Sequence, residues 1–373
     1  MPSSTSNSNP AVRAPALKWG FVWLGACLLA IAMILSFEVF WRANGHRPSV
    51  AFDPLLWSYH RYQVSDHRSQ VVLLGSSRIQ GGFSTEVFHD RFPSIPLAVL
   101  PISGNHPLAV LRDLAEDESF RGTVICSATA QSFSSSSWDE QQEYVDYFHN
   151  ASPVEYLEPV PKWWLQSQLV VLHPNVRLSK LVKTKLRDGR LPGPLYSVMK
   201  FDRSRLENYS MVDLEVHRQR RLEYVRKTIN HPSSFELWSK GATAVGSFVR
   251  KIKERGGDVV FVRFPTSDEH WEITEQMSPK QVYWDQLGRL VGAKTIHFRD
   301  VPSLAHFNCP DTSHLDFRDS PKFTSALIDE LVKQRILQDD QSHLIPTTIK
   351  DKNTANFSKN LSTRNRFSVG LCD

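Results

Sequence analysis

Ser77 is the residue whose setting most suggests chemistry, because a serine-rich turn follows an apolar run in the segment VVLLGSSRIQGG (71–82). A hydroxyl just past a strand, where a helix begins, is exposed and lies close to unpaired backbone N–H groups. Such a position suits a nucleophile whose reaction develops an oxyanion, although turns of this kind also bind phosphate. A serine hydroxyl needs a base before it attacks a carbonyl, so another part of the chain must supply one.

A base and a group to orient it both occur in NCPDTSHLDF (308–317), where Asp311 precedes His314 by three residues. The imidazole of His314 can take the proton of Ser77. A carboxylate on its other ring nitrogen fixes the tautomer and stabilises the imidazolium. These three residue types therefore predict nucleophilic catalysis with Ser77 as nucleophile, His314 as base and Asp311 as orienting acid.

Gly104 in ISGNHP (102–107) is the expected partner of Ser77 in holding an oxyanion. Glycine has no side chain to block a ligand, so its N–H can approach a negative charge closely. The N–H of Ser77 is the other expected backbone donor.

Each of these residues follows a short apolar run, and we predict five strands, VVLLG (71–75), PLAVLPI (96–102), TVICSA (123–128), DVVFVRF (258–264) and TIHFRD (295–300). Continuous Val- and Ile-rich runs are typical of parallel strands that are covered on both faces. Helical patterns lie between and after them at 106–117, 233–257 and 320–336, which predicts an α/β domain with a mainly parallel sheet. The carboxyl ends of such strands meet at one edge, so Ser77, Gly104 and the 311–314 segment are expected to converge there.

An apolar segment near the amino terminus, WGFVWLGACLLAIAMILSF (19–37), carries no charge. As a helix it is about 28 Å long, which is enough to cross the hydrocarbon core of a bilayer. A cleaved signal peptide has a shorter apolar region and a small-residue cleavage site. The residues LGAC (24–27) resemble a lipoprotein signal, but further apolar residues follow the cysteine, which argues against one. We predict an uncleaved signal anchor over 19–41. The aromatic residues near its ends are expected to lie at the membrane interfaces, namely Trp19, Trp23, Phe40 and Trp41.

The orientation of this anchor is weakly marked, because two basic residues flank each side. The free amino terminus and the absence of acids before the span favour a cytoplasmic amino terminus. The expected localisation is therefore a single-pass membrane protein whose main domain faces the periplasmic or extracytoplasmic side.

The remaining organisation follows from composition. Residues 1–18 are predicted to be disordered, residues 43–337 to form the α/β domain with an insertion at 134–232, and residues 338–373 to form a disordered polar tail. Tryptophans of the insertion are expected to pack it onto the core, with a substrate groove as the alternative.

Charge and cysteine content exclude several classes of function. The 373-residue chain has a net charge of +5, and its basic segment HRQRRLEYVRK (217–227) is interpreted as a solvated helix face, so no nucleic-acid partner is expected. Its four cysteines show no metal-ligand spacing, and we expect neither a metal nor a cofactor.

Taken together, the motifs resemble those of the SGNH (GDSL-type) hydrolase superfamily over roughly residues 70–337. Gly75-Ser76-Ser77 matches the nucleophile block, with Ser76 where Asp is commonest; Ser103-Gly104 matches the oxyanion block, and the segment 311–314 matches the D-x-x-H block. The resemblance implies a flavodoxin-like three-layer sandwich with a five-stranded parallel sheet. The GSSR form and the leading anchor are similar to those of bacterial membrane-tethered members that act in polysaccharide O-acetylation and teichoic-acid D-alanylation.

One block of that superfamily is missing. Its members usually carry G-x-N-D after the third strand, where Asn donates to the oxyanion, whereas this chain reads VICSATAQSF (124–133). Gln131 is the candidate substitute, since its amide is also a donor. Loss of one oxyanion donor costs about 10²–10³ in rate. After the fourth strand, Arg263 is a candidate for binding an anionic substrate, with a structural ion pair as the alternative.

These observations predict a serine esterase or acyltransferase that acts through a Ser77 acyl-enzyme on small acyl esters, such as O-acetyl groups of a cell-envelope glycan. The resemblance also implies a membrane acyltransferase as a partner. Two alternatives remain: a catalytically deficient glycan-binding or assembly protein, favoured by the missing block, and a phosphate-ester or nucleotide-binding domain that uses the turn at 75–78. The sequence has neither a glycine-rich phosphate loop nor an acidic metal cluster, so the phosphate-ester or nucleotide-binding alternative ranks last.

Overall fold

The computed structural model describes residues 19–64, 67–228 and 234–338. Predictions of disorder for residues 1–18 and for the tail beyond residue 338 lie outside these ranges. The strands are β1 (Val71–Leu74), β2 (Leu97–Val99), β3 (Thr123–Ser127), β4 (Ser197–Met199), β5 (Arg205–Glu207), β6 (Asp258–Arg263) and β7 (Lys294–His297). The helices are α1 (Trp19–Ala43), α2 (Pro54–Tyr62), α3 (Ser77–Gly82), α4 (Thr85–Arg91), α5 (Leu108–Glu116), α6 (Gln142–Asn150), α7 (Pro153–Leu157), α8 (Val160–Gln168), α9 (Leu178–Asp188), α10 (Leu214–Thr228), α11 (Phe235–Glu254), α12 (Asp268–Met277), α13 (Trp284–Val291), α14 (Pro302–Ala305) and α15 (Ser320–Lys333).

The central sheet has five parallel strands in the order β2-β1-β3-β6-β7, which confirms the predicted α/β fold with a parallel five-stranded sheet. This order is that of flavodoxin-like folds, in which the chain reverses its direction of winding between β1 and β3. The crevice at that point, outside the carboxyl ends of the strands, is where such folds bind ligands.

Both faces of the sheet are buried, which explains the continuous apolar runs of the strands. Along β1, Val72 and Leu74 face one core, and Val71 and Leu73 face the other. Helices α5, α11 and α13 contribute to the first core, while α3, α4 and α15 contribute to the second. The sheet is therefore the middle of three layers, because neighbouring side chains point to opposite faces of a strand.

The last strand is shorter than its sequence pattern indicates. The predicted strand 295–300 ends at His297, and Phe298–Asp300 forms a 3₁₀ turn. The Nδ1 atom of His297 accepts a hydrogen bond from the backbone N–H of Arg299 at 3.1 Å, so the side chain caps the turn and ends the strand.

Residues 134–232, predicted as an insertion between β3 and β6, contain helices α6–α10 and the antiparallel hairpin β4–β5. Arg203 in this hairpin is completely buried and donates to the carbonyls of Val99 (3.1 Å) and Pro101 (2.7 Å). It thereby supports the chain that leads from β2 towards Gly104. Two of the tryptophans expected to pack this segment do so, since Trp163 is buried and Trp138 packs against the core, whereas Trp164 is exposed.

Helix α1 is long and apolar enough to cross a membrane, with a mean hydropathy of 2.3 over its most apolar window. Its last turns are attached to the rest of the protein. The Glu38 carboxylate accepts hydrogen bonds from the N–H groups of Val170 (3.0 Å) and Val171 (3.1 Å). Trp41 is 2% exposed and packs against Val170 and neighbouring apolar residues. The prediction that Trp41 lies at a membrane interface is therefore wrong, because the insertion covers this side chain.

The chain that follows α1 is also fixed. His46 donates its N–H to the carbonyl of Trp41 at 3.0 Å, and the N–H of Val50 donates to the carbonyl of Met199 at 2.9 Å. The hydroxyl of Ser49 accepts from the N–H of Met199 at 3.0 Å. The segment after α1 is therefore held by hydrogen bonds to the end of the helix and to the hairpin β4–β5.

Replacing Glu38 with alanine is expected to speed hydrogen exchange at the amides of Val170 and Val171 about tenfold or more, because both N–H groups lose their acceptor. Exchange measured by mass spectrometry on the full chain in lipid nanodiscs checks this result. Lys183→Ala, at an exposed position of α9, is the control. Equal exchange in wild type and both variants would contradict a fixed junction.

Candidate active site

Ser77 is the first residue of α3 and follows β1 through a tight turn. Gly75 in this turn has φ of +144°, a conformation that favours glycine. A Cβ atom at Gly75 would lie 2.7 Å from Ile79 Cγ2 and 2.8 Å from Ser127 Cβ, so the turn has no room for a side chain. Close packing of this turn against α3 and β3 places Ser77 at the sheet edge, with its N–H at the start of the helix, where it has no intrahelical acceptor.

Ser77, His314 and Asp311 form one hydrogen-bonded chain. The Oγ atom of Ser77 lies 2.7 Å from Nε2 of His314, although 237 residues separate them in sequence. The Nδ1 atom of His314 lies 2.8 Å from Oδ2 of Asp311. Both the imidazole and the carboxylate are buried, with 5% and 2% exposure. This arrangement allows His314 to take a proton from Ser77 while Asp311 orients the ring.

Asp311 is held as a carboxylate by its surroundings. Its Oδ1 accepts hydrogen bonds from the backbone N–H groups of Ser313 (2.9 Å) and His314 (2.7 Å). Burial by itself raises the pKa of Asp311. The charge of His314, the hydrogen bond to it, and the nearby Arg221 outweigh burial and lower that pKa well below its ordinary value.

Arg221 was not identified as a site residue from the sequence. It projects from α10, and its Nε lies 3.5 Å from Oδ2 of Asp311. The basic segment 217–227 is interpreted as a solvated helix face, but Arg221 and Arg218 are only partly exposed, and Arg218 donates to the carbonyl of Pro310 at 3.4 Å. The only sequence signal was the clustering of basic residues itself.

Gly104 lies on the wall of the same cavity as Ser77 and His314. Its φ is +87°, and a Cβ atom there would meet no heavy atom within 4 Å, so backbone conformation rather than space favours glycine. The loops that carry Ser77 and Gly104 are joined at the carbonyl of Gly75, which accepts from the N–H of Ile102 and from Nε2 of Gln141, both at 3.1 Å.

The cavity has a volume of about 610 Å³ and opens over the carboxyl ends of the strands. Such a volume is typical of small-molecule sites. Helices α10 and α12 contribute to its wall beside the loops after β1, β2 and β3 and the last residue of β6. Neighbouring elements therefore enclose the serine on several sides.

The third oxyanion donor remains a prediction. Gln131 lies on the cavity wall, is exposed, and shows no side-chain hydrogen bond among the described residues. Asn105, also on the wall, donates its side-chain amide to the carbonyl of Glu140. His106 lies beside them with Nδ1 2.8 Å from Ser132 Oγ, and burial followed by the charge of Arg78 lowers its pKa to about 4.

Arg263, the predicted anion-binding residue, ends β6 and is 5% exposed on the cavity wall. It donates to the carbonyl of Phe264 at 2.6 Å and to the hydroxyl of Thr266 at 3.2 Å. The described residues show no ion pair to its guanidinium, so the alternative of a structural ion pair finds no support there.

Arg78, directly after Ser77, was not singled out from the sequence. Its Nε donates to Ser313 Oγ at 3.2 Å, and its Nη2 lies 3.3 Å from Nε2 of His270. Burial, with a smaller contribution from Arg221, lowers the pKa of Arg78 to about 10. The guanidinium therefore lies next to the His314 segment and stays charged at neutral pH.

Comparison with known proteins adds little to this geometry. No known family and no curated protein matches the sequence. A solved structure similar to this chain is the crystal structure of TesA, with 10% identity, a TM-score of 0.33, and coverage of 70% of this chain and 97% of that chain. The fold is assigned from the strand order of this chain itself.

Proposed function

We propose that this protein is a serine esterase or acyltransferase that works through a Ser77 acyl-enzyme. The observation that carries the proposal is the chain of two hydrogen bonds from Ser77 to His314 (2.7 Å) and from His314 to Asp311 (2.8 Å) on the wall of the cavity. A buried carboxylate behind an imidazole that contacts a serine is the arrangement by which a hydroxyl becomes a nucleophile.

In the first half of the reaction, Oγ of Ser77 attacks the acyl carbonyl while His314 Nε2 takes its proton. The tetrahedral intermediate carries a negative oxygen, and the N–H groups of Ser77 and Gly104 are assigned to hold it. His314 then returns the proton to the leaving alcohol oxygen as the ester bond breaks. Asp311 keeps its hydrogen bond to Nδ1 throughout and stabilises the imidazolium.

In the second half, His314 activates either a water molecule or an acceptor hydroxyl, which attacks the acyl-enzyme. Water gives hydrolysis, and a sugar hydroxyl gives acyl transfer. The tetrahedral oxygen again occupies the site assigned to the two backbone N–H groups. As the bond between Ser77 Oγ and the acyl carbon breaks, His314 gives its proton to Oγ, which releases the acyl product and regenerates Ser77.

The proposed substrate is a small acyl ester, such as the O-acetyl group of a cell-envelope glycan, with a membrane acyltransferase as partner. Helix α1, which is long enough to cross a membrane, supports a membrane location. The proposed position of the main domain is the periplasmic or extracytoplasmic side. The superfamily resemblance of the motifs around Ser77, Gly104 and His314 supports an ester substrate.

A second candidate is an SGNH-like protein that binds a glycan without turnover. The residues after β3 favour it, because Ala-Thr-Ala-Gln (128–131) stands where the superfamily has its Asn donor. The side-chain amide of Asn105, on the same cavity wall, donates to the carbonyl of Glu140.

A fluorophosphonate probe tests the two candidates on the full chain in detergent. We expect stoichiometric labelling of wild type at Ser77, loss of labelling in Ser77→Ala, and retained labelling in the matched control Ser76→Ala. Labelling of Ser77→Ala would contradict the assignment of the nucleophile. Unlabelled but folded wild type, without hydrolysis of p-nitrophenyl acetate, would favour the binding protein.

A further inference from the structure

Two arginines on the cavity wall near Ser77, the buried Arg263 and the partly buried Arg78, have no carboxylate within ion-pair distance among the described residues. Both Arg78 and Arg263 line the cavity that contains Ser77 and His314. Arg78 contacts the hydroxyl of Ser313 and a ring nitrogen of His270. Burial and the charge of Arg78 lower the pKa of His270 to about 2, so the imidazole stays neutral and acts as an acceptor.

The hydrogen-bond partners of Arg263 within the described part of the chain are likewise neutral. Its guanidinium donates to one backbone carbonyl and to the hydroxyl of Thr266. Burial, and then the charge of Arg78, lower the pKa of Arg263 to about 9. The two guanidinium groups therefore repel each other inside the protein, and each remains charged at neutral pH.

The carboxylates near the cavity are engaged elsewhere. The charge of Glu275 raises the pKa of Arg263 through space, but its carboxylate oxygens accept hydrogen bonds from the backbone N–H of Lys280 at 3.1 and 3.2 Å. Glu140 accepts from the backbone N–H of His106 at 2.7 Å. The charge of Asp311 acts on Arg78 through space, but its oxygens accept hydrogen bonds from His314 and from two backbone N–H groups, and it lies 3.5 Å from Arg221.

A buried cation without a counter-charge is costly unless a ligand supplies that charge. The planar guanidinium also has several donors, of which the contacts above use only some, and it binds carboxylate or phosphate oxygens well. A cavity of about 610 Å³ has room for an acyl ester together with such a group. Both charge and donors thus favour an anionic ligand.

We propose that Arg78 and Arg263 form an anion subsite beside Ser77, so that the substrate is an ester bearing a carboxylate or phosphate group near the scissile bond. This inference rests on the proposed esterase function and specifies its substrate class. Arg221 lies on the same wall but is assigned to Asp311, not to the subsite.

Kinetics with matched esters tests this subsite on the full chain. We compare p-nitrophenyl acetate with mono-p-nitrophenyl succinate, which carries a carboxylate on the acyl side. Acetylated glycerol 3-phosphate, measured by acetate release against monoacetylglycerol, carries a phosphate on the alcohol side. We expect a ten- to hundredfold preference in kcat/KM for at least one anionic ester, as charge-assisted hydrogen bonds provide about that factor. The preferred member identifies which anion the subsite takes.

Arg78→Gln and Arg263→Gln should each reduce this preference about tenfold. The control Arg318→Gln, at an exposed arginine that pairs with Asp316 outside the cavity, should keep it. Equal rates for charged and neutral esters in wild type would overturn the subsite. Equal losses for both kinds of ester in the Arg78 and Arg263 variants would also overturn it, because the guanidinium would then act on the reacting carbonyl.

A binding measurement separates failure of the subsite from failure of the esterase. Inorganic phosphate should raise the Tm of wild type and of Ser77→Ala, but not of the double variant Arg78→Gln/Arg263→Gln. If no ester is turned over, this stabilisation still supports the anion subsite, whereas its absence in wild type and Ser77→Ala overturns it.

Discussion

Asp311→Asn is expected to lower kcat for p-nitrophenyl acetate by about 10³–10⁴ while leaving the fold intact. Asparagine has nearly the same shape as aspartate, so the hydrogen bonds from the backbone N–H groups of Ser313 and His314 to its Oδ1 can persist. Its amide, however, can donate to Nδ1 of His314, which favours the tautomer with the proton on Nε2. That tautomer cannot accept the proton of Ser77. Initial rates and circular dichroism measure the two effects.

A double variant makes this result more specific. Residues that act as one catalytic unit have strongly non-additive effects. We therefore expect His314→Ala to cost at least as much as Asp311→Asn, and the combination to cost no more than His314→Ala alone. If the losses of the two single variants multiplied, Asp311 would act independently of His314, which would contradict the hydrogen-bonded chain.

Asp311→Asn should also change how the free energy of unfolding depends on pH. The pKa of Asp311 is lower in the folded protein than its ordinary value of 3.8, so the ionised carboxylate stabilises the fold. This contribution is complete above that ordinary value and is lost as the pH falls towards the lower pKa of the folded state. Acid titration of unfolding should therefore show a smaller loss of stability for Asp311→Asn than for wild type in this range.

Gly75→Ala is expected to destabilise the protein by about 2–4 kcal/mol, since it combines backbone strain with overpacking. The φ of +144° suits glycine, and the added methyl would meet Ile79 and the side chain and carbonyl of Ser127 within 3.0 Å. For a domain of this size we expect Tm to fall by roughly 5–15 °C. Because the turn carries Ser77, esterase activity should fall as well.

Gly104→Ala is the matched control, because its added methyl meets no atom within 4 Å. Only the φ of +87° opposes alanine there, at a cost of about 1–2 kcal/mol. We expect a smaller fall in Tm, together with a loss of about 10–10² in kcat as the oxyanion donor shifts. A Tm for Gly75→Ala equal to that of Gly104→Ala would contradict the close packing of the first turn. Differential scanning fluorimetry and initial rates provide the comparison.

The parallel sheet could be predicted because its strands are buried on both faces, which leaves an unbroken apolar run in the sequence. The predicted strand 295–300 was too long because the pattern does not reveal that the side chain of His297 caps its own carboxyl end. The prediction that Trp41 lies at the membrane interface came from its position near the end of an apolar segment. Its burial depends on residues of the insertion, which hydropathy along the chain does not identify.

Some residues of the site could likewise be predicted from the sequence, and others could not. Ser77, Gly104 and His314 follow strands of one sheet, so the topology alone predicts that they share an edge, and the structure places them around one cavity. Arg221 comes from a helix of the insertion, whose docking follows no periodic rule. Arg78 contacts His270, which lies in the next helix after β6, so this contact depends on how that helix packs. Contacts of this kind need the packed structure.

The attachment of α1 determines how the cavity can reach its substrate. A domain on a flexible linker sweeps a volume above a bilayer that grows with linker length. Here Glu38 and Trp41 fasten the end of the helix, and hydrogen bonds hold the chain as far as Val50, which leaves no such linker. Where α1 crosses a bilayer, the mouth of the cavity is held at one height above the lipid. An acyl group on a polymer would then have to come to that height to reach Ser77, the proposed nucleophile.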